Sequence, residues 1–140
     1  MSVRAATVRG IAQAITDDLV GSERGMLGVM VSTEDGFELC RSAAREFSDP
    51  GRLAAVSSSL LALADSSAQT AEIGASQCMV VEGEDGRVVL YAVPSLKPRL
   101  VLTVLMKGSS NLGNTIYLAR VTALRIASAV GEAQRRATGT

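Results

Sequence analysis

A three-layer α/β/α sandwich around one five-stranded, mainly antiparallel sheet is the architecture that this 140-residue sequence specifies. Three patterns lead there. Apolar periodicity and turn signals give the order α-β-β-α-β-β-β-α, with no linker long enough to divide the chain. Two apolar runs, Gly25 to Ser32 and Leu100 to Lys107, lack polar alternation and so need cover on both faces. Two hairpins close on Asp-Gly pairs, Asp35-Gly36 and Asp85-Gly86, which makes neighbouring strands antiparallel. One domain over 1–140 follows, with an ordered core of about residues 3–130 and a small, polar tail, 131–140, expected to fray.

The first helix, about Val3 to Val20, carries Val8, Ile11, Ala12, Ile15 and Leu19 as one stripe, and Gly21 is read as its left-handed stop. The strand from Gly25 turns at Asp35-Gly36 into a more polar strand, Phe37 to Ser42, placed at the sheet edge. Asp49-Pro50 then opens a long helix. Aspartate is a good N-cap, proline fits the first helical position, and the residue before a proline already favours extended backbone. That helix runs to about Glu72. Gln77 to Glu82 and Arg87 to Val93 form the second hairpin, Pro94 and Pro98 bracket a turn into the Leu100 strand, and a last helix covers about Asn114 to Val130.

The middle helix holds two stripes. Leu53, Val56, Leu60 and Leu63 are expected to pack on the protein's own sheet. Gly51, Ala54, Ala55, Ser58, Ser59, Ala62 and Ser66 are all small, so a second helix axis can approach closely. At about 1.5 Å per residue the helix is roughly 34–36 Å long against about 23 Å for a seven-residue strand, so it overhangs its sheet. Self-association through the small stripe is the expectation; a solvated alanine-rich surface is the ordinary alternative.

Composition excludes several functions. Hydrophobic residues at 47% and charged residues at 20% exclude disorder as the dominant state. Formal charge is zero, and two Tyr, two Phe and no Trp leave nucleic-acid binding without an electrostatic or stacking basis. Histidine is absent, so there is no imidazole base, no Ser-His-Asp or Cys-His pair and no His-containing zinc site. Cys40 and Cys78 sit far apart inside apolar runs and read as small hydrophobes in a reducing, cytoplasmic setting. No apolar run approaches the roughly 20 residues that span a bilayer, so membrane insertion is not expected.

Gly108 to Thr115 matches a phosphate-binding loop except that Asn114 stands where the lysine belongs, and it reads as an ordinary strand-to-helix turn. The acid pairs Asp17-Asp18, Glu34-Asp35 and Glu84-Asp85 read as solvated, Lys97 and Lys107 are not placed for desolvation, and Ser57 to Ser59 have no candidate base. The expectation is therefore no enzyme, no cofactor, no metal and no catalytic residue.

A leading helix followed by GMLGVMVSTEDGFEL (Gly25 to Leu39), DPGRLAAVSSSLLALADSSAQTAEIG (Asp49 to Gly74), CMVVEGEDGRVVLYAV (Cys78 to Val93), LVLTVLMKGSSNLGNT (Leu100 to Thr115) and a closing helix resembles the roadblock family. That family takes in dynein light chain roadblock proteins and bacterial MglB-type regulators of small Ras-like GTPases. The resemblance implies a sheet with the middle helix on one face and the terminal helices on the other. It also implies a homodimer with middle helices side by side and third strands continuing the sheet.

Carried onto this chain, the dimer contact comprises Gly51, Ala54, Ala55, Ser58, Ala62 and the strand Cys78, Met79, Val80, Val81 to Glu82. The resemblance further implies a non-enzymatic adaptor presenting the paired helices to a small Ras-like GTPase, either raising its hydrolysis rate or scaffolding it. Arg45 and Arg52, beside the start of the middle helix, and Ser59 are the candidate GTPase contacts. No family motif makes either arginine a catalytic finger. The competing readings are a small-molecule sensor, against which the aliphatic core stands, and a purely structural scaffold.

Overall fold

A computed structural model describes residues 3–139, with side chains described from Thr7 onward. Its elements are α1 (Val3–Ser22), β1 (Met26–Thr33), β2 (Glu38–Ala43), α2 (Pro50–Thr70), β3 (Cys78–Glu82), β4 (Gly86–Val93), β5 (Leu100–Lys107) and α3 (Leu112–Ala137). The five strands lie in the order β2-β1-β5-β4-β3, every neighbouring pair antiparallel. The two runs without polar alternation, β1 and β5, pair at the centre, where both faces are covered.

The helices divide as the resemblance implies. On one face α1 and α3 pack together over Val29, Val31, Val89, Leu102 and Val104, joined by Ala12, Ala119, Ala123, Ile126 and Val130. Most of these are fully buried, and each large aliphatic side chain contributes about 1.5–3 kcal/mol by leaving water. On the other face α2 lies over Met30, Ser32, Leu90 and Thr103, meeting them with Ala54, Ser57, Ser58 and Leu61. The Ser58 hydroxyl donates to the Thr33 carbonyl at 2.7 Å and sits 3.4 Å from the Ser32 hydroxyl. The two layers differ on the helix side: α2 meets the sheet mainly with alanine and serine around Leu61.

This reverses part of the expectation for the middle helix. Val56 and Leu63 do not pack on the sheet but are 44% and 65% exposed, whereas Ala54 and Ser58 from the small stripe are 0% and 5% exposed against it. The physical reason is close approach: short side chains at 54, 57 and 58 seat the helix directly on the strands, and a Cβ added at Gly36 would lie 3.2 Å from the Ala55 Cα. That proximity, together with φ of +93°, gives Gly36 two reasons to lack a side chain.

Helix ends explain the other differences. Asp49 caps α2 by accepting from the Arg52 N–H at 3.1 Å, with Pro50 in the first turn, as expected. Helix α1 continues through Gly21 to Ser22, and the left-handed residue comes at Gly25. Gly86, expected at a positive-φ turn position, instead begins β4, where a Cβ would meet the Met106 carbonyl oxygen at 2.8 Å. Helix α3 does not stop at Val130; it extends to Ala137 through the segment expected to fray. A Glu132–Arg136 ion pair at 2.6 Å and the basic last turn, Arg135 and Arg136, favour that extension against the helix dipole.

Candidate interaction surface

A five-stranded open sheet has two edges, and this one treats them differently. At the β2 edge, Arg9 Nε of α1 donates to the Leu39 carbonyl at 2.9 Å and Gln13 Nε2 donates to the Arg41 carbonyl at 2.8 Å. The strand carries a Glu38–Arg41 ion pair, and its register with β1 shifts between Val31 and Ser32. Capped carbonyls, charges and a register shift all discourage another strand from adding there.

The β3 edge has neither capped carbonyls nor a register shift, and its one charge, Glu82 at the strand end, is paired with Arg87 at 3.0 Å. Ala92 N–H donates to the Gln77 carbonyl and Gly83 N–H to the Gly86 carbonyl, which fixes the alternation of the β3–β4 ladder. Residues 77, 79, 81 and 83 therefore face β4, and the N–H and C=O groups of Cys78, Val80 and Glu82 point outward. The side chains along this edge are apolar up to Glu82: Cys78, Met79 and Val80 are half-buried and Val81 is 39% exposed.

Beside that face of the sheet stands the outer side of α2. Val56 and Leu63, two turns apart, project outward with Ala55, Ser59, Ala62 and Ser66, all exposed. Gly51 and Arg52 are exposed at the helix start. Of the sequence-derived residues, the structure thus puts Gly51, Arg52, Ala55, Ser59 and Ala62 on the outer face and turns Ala54 and Ser58 inward. Val56 and Leu63 were missed. An equally regular inward stripe, Ala54, Ser57, Ser58, Leu61 and Ala68, was present in the sequence, and large size was mistaken for inward direction. Arg45 is exposed in the loop before α2, lining a cleft of about 290 Å³ with Glu46, Phe47 and Asp49.

The remaining candidates take structural roles. Asn111 caps α3, accepting from the Asn114 N–H at 2.8 Å, and the buried Thr115 hydroxyl donates to the Asn111 carbonyl, so the Gly108–Thr115 turn begins a helix. Arg87 donates to the Ser110 carbonyl and closes that turn. Both cysteines are free; burial pushes the Cys40 thiol up to about 11 and raises that of Cys78, so both are protonated at neutral pH. Among the described residues no group of three or more acids and cysteines is placed to hold a metal ion. No described helix is long and apolar enough to cross a membrane.

An α/β/α sandwich with one sealed sheet edge, one open apolar edge and an exposed apolar helix face is a protein–protein interaction domain in form. Residues 12–106, more than half of the chain, match the Roadblock/LC7 domain, and the chain belongs to that family. Among solved structures it is similar to Myxococcus xanthus MglB, at 16% identity and TM-score 0.79, covering 89% of this chain and 91% of that one. It is also similar to an MglB with tetrameric arrangement, at 18% identity and TM-score 0.77, covering 95% of this chain and 94% of that one. A Roadblock/LC7 domain from Streptomyces avermitilis is similar at 17% identity and TM-score 0.66, covering 90% and 97%. No curated protein matches it in sequence. At these identities the structural likenesses show a shared fold.

Proposed function

We propose that this chain is a non-enzymatic homodimeric adaptor of the cytoplasm that binds and regulates a small Ras-like GTPase through its paired α2 helices. The observation that carries the reading is the open β3 edge lying beside the exposed apolar face of α2. Strand pairing through Cys78, Val80 and Glu82 extends the sheet across two copies, and Ala55, Val56, Ala62 and Leu63 are then offered to a neighbouring helix. Membership of the Roadblock/LC7 family supports the partner class. Arg45, Arg52 and Ser59 border the platform and are the proposed GTPase contacts.

Light scattering on wild type, Leu63→Arg and Val81→Lys tests the dimer. A dimeric wild type with monomeric, folded variants is expected; a monomeric wild type overturns the reading. The partner is tested by capture from the source organism's lysate with GDP or a non-hydrolysable GTP analogue. Preferential retention of a small GTPase with one nucleotide is expected, and hydrolysis assays on the pair then separate stimulation from scaffolding. Recovery of the chain alone, or of partners indifferent to nucleotide, overturns it.

A further inference from the structure

A second cleft, of about 370 Å³, opens where the β4–β5 loop meets the loop before β3 and the middle of α3. It has the makings of a site for a ligand. Arg99 lines it with Nη1 paired to Asp65 Oδ2 at 2.8 Å, while Asp65 Oδ1 is occupied by the Ser76 N–H at 3.0 Å. The carboxylate paired with Arg99 is therefore engaged at both oxygens, yet Arg99 Nε is buried with no acceptor among the described residues. A buried cationic donor without an acceptor is unfavourable and calls for explanation. Arg120, on α3, lines the same cleft, is exposed, and has no carboxylate partner among the described residues. The rest of the wall is largely apolar, with Tyr91, Leu96 and Leu124 its largest members.

Two guanidiniums, one with its Nε unmet and one with no carboxylate partner among the described residues, are brought to one cleft with an apolar wall and define the chemistry that fills it. We propose that this cleft binds a small organic anion, its carboxylate or phosphate head held by the Arg99 and Arg120 guanidiniums and its short apolar stem laid against Tyr91, Leu96 and Leu124. Guanidinium N–H groups match planar or tetrahedral oxyanions in forked geometry, and the head group supplies the acceptor that Asp65 cannot. The site stands independently of the adaptor reading: none of its residues belongs to the outer face of α2 or to the outward groups of β3.

The test is titration of the full chain with phenyl phosphate, benzoate and inorganic phosphate, followed by calorimetry and by amide chemical shifts. Saturable binding of phenyl phosphate or benzoate is expected, tighter than that of inorganic phosphate, with shifts centred on residues 91–99 and 120–124. Whichever of the two aromatic anions binds tighter identifies the head group. Arg120→Gln, a surface change that keeps the fold, is expected to weaken binding about tenfold or more, the loss of one charge-assisted interaction. Arg99→Lys keeps a cation opposite Asp65 but removes Nε and is expected to weaken it comparably. Absence of saturable binding at millimolar ligand, or binding unchanged in Arg120→Gln, overturns the proposal. The titration reads the cleft whether or not a GTPase is ever captured, so the two readings fail separately.

Discussion

The two edge strands of this sheet are of similar length and opposite character. Strand β2 is polar, capped by Arg9 and Gln13 and offset in register; β3 is apolar and leaves the backbone groups of Cys78, Val80 and Glu82 unused. The difference shows where an open sheet directs assembly. A domain with two open edges polymerises, one with two sealed edges stays alone, and one with a single open edge is limited to closed pairing. In the proposed dimer, specificity for pairing would thus reside as much in α1, which touches neither proposed interface, as in β3 itself.

The contrast can be broken at either edge. Val80→Pro removes an outward N–H without removing a bond to β4, so the fold should survive while strand addition is blocked. The expected result is a dimer dissociation constant raised about a hundredfold or more, read by sedimentation, since several backbone hydrogen bonds are lost together. The opposite variant, Arg9→Ala with Gln13→Ala, uncovers the Leu39 and Arg41 carbonyls. It should cost about 1–2 kcal/mol in urea unfolding and produce concentration-dependent scattering beyond the dimer.

The smallest expected effect comes from the cysteines, one in each edge strand. Cys40 lies buried at the sealed edge with its thiol pushed up to about 11, while Cys78 is half-buried at the open one. Because the folded state holds the Cys40 proton more tightly than the unfolded chain does, its contribution is complete below the ordinary thiol range and lost as pH rises towards the folded value. Relative to Cys40→Ala, wild type should lose about 1 kcal/mol of stability between pH 8 and pH 10, read from urea midpoints. Cys78→Ala should alter that alkaline loss less, since its thiol is less buried.

Much of this molecule was readable from single residues. Asp49-Pro50 marked the start of α2, Leu100 to Lys107 marked β5 to the residue, and Asp35-Gly36 marked a turn that does use positive φ. What sequence could not supply was direction around α2. Leu53, Val56, Leu60 and Leu63 form a regular stripe, but so do Ala54, Ser57, Ser58, Leu61 and Ala68, and periodicity alone does not say which faces the sheet. The close approach is visible only in the fold, where Gly36 and Ser32, distant in sequence, meet α2 at Ala55 and Ser58. The Arg99–Arg120 cleft was illegible for a related reason. Its two cations come from a loop and a helix that only the fold brings together.

The central pairing of β1 with β5 also has a kinetic meaning. Everything from Glu34 to Arg99, including α2 and the open β3 edge, lies in the loop that this pairing closes. Forming it early means closing a long loop before the contacts within it can compensate, a cost that general polymer physics assigns to non-local pairing. Until that step is complete, β1 and β5, two of the most apolar segments in the chain, are each paired on one side only, with β2 and β4, and each keeps an open edge. The nascent protein is then most prone to aggregate through its centre, and the edge that limits the finished assembly gives no protection at that stage.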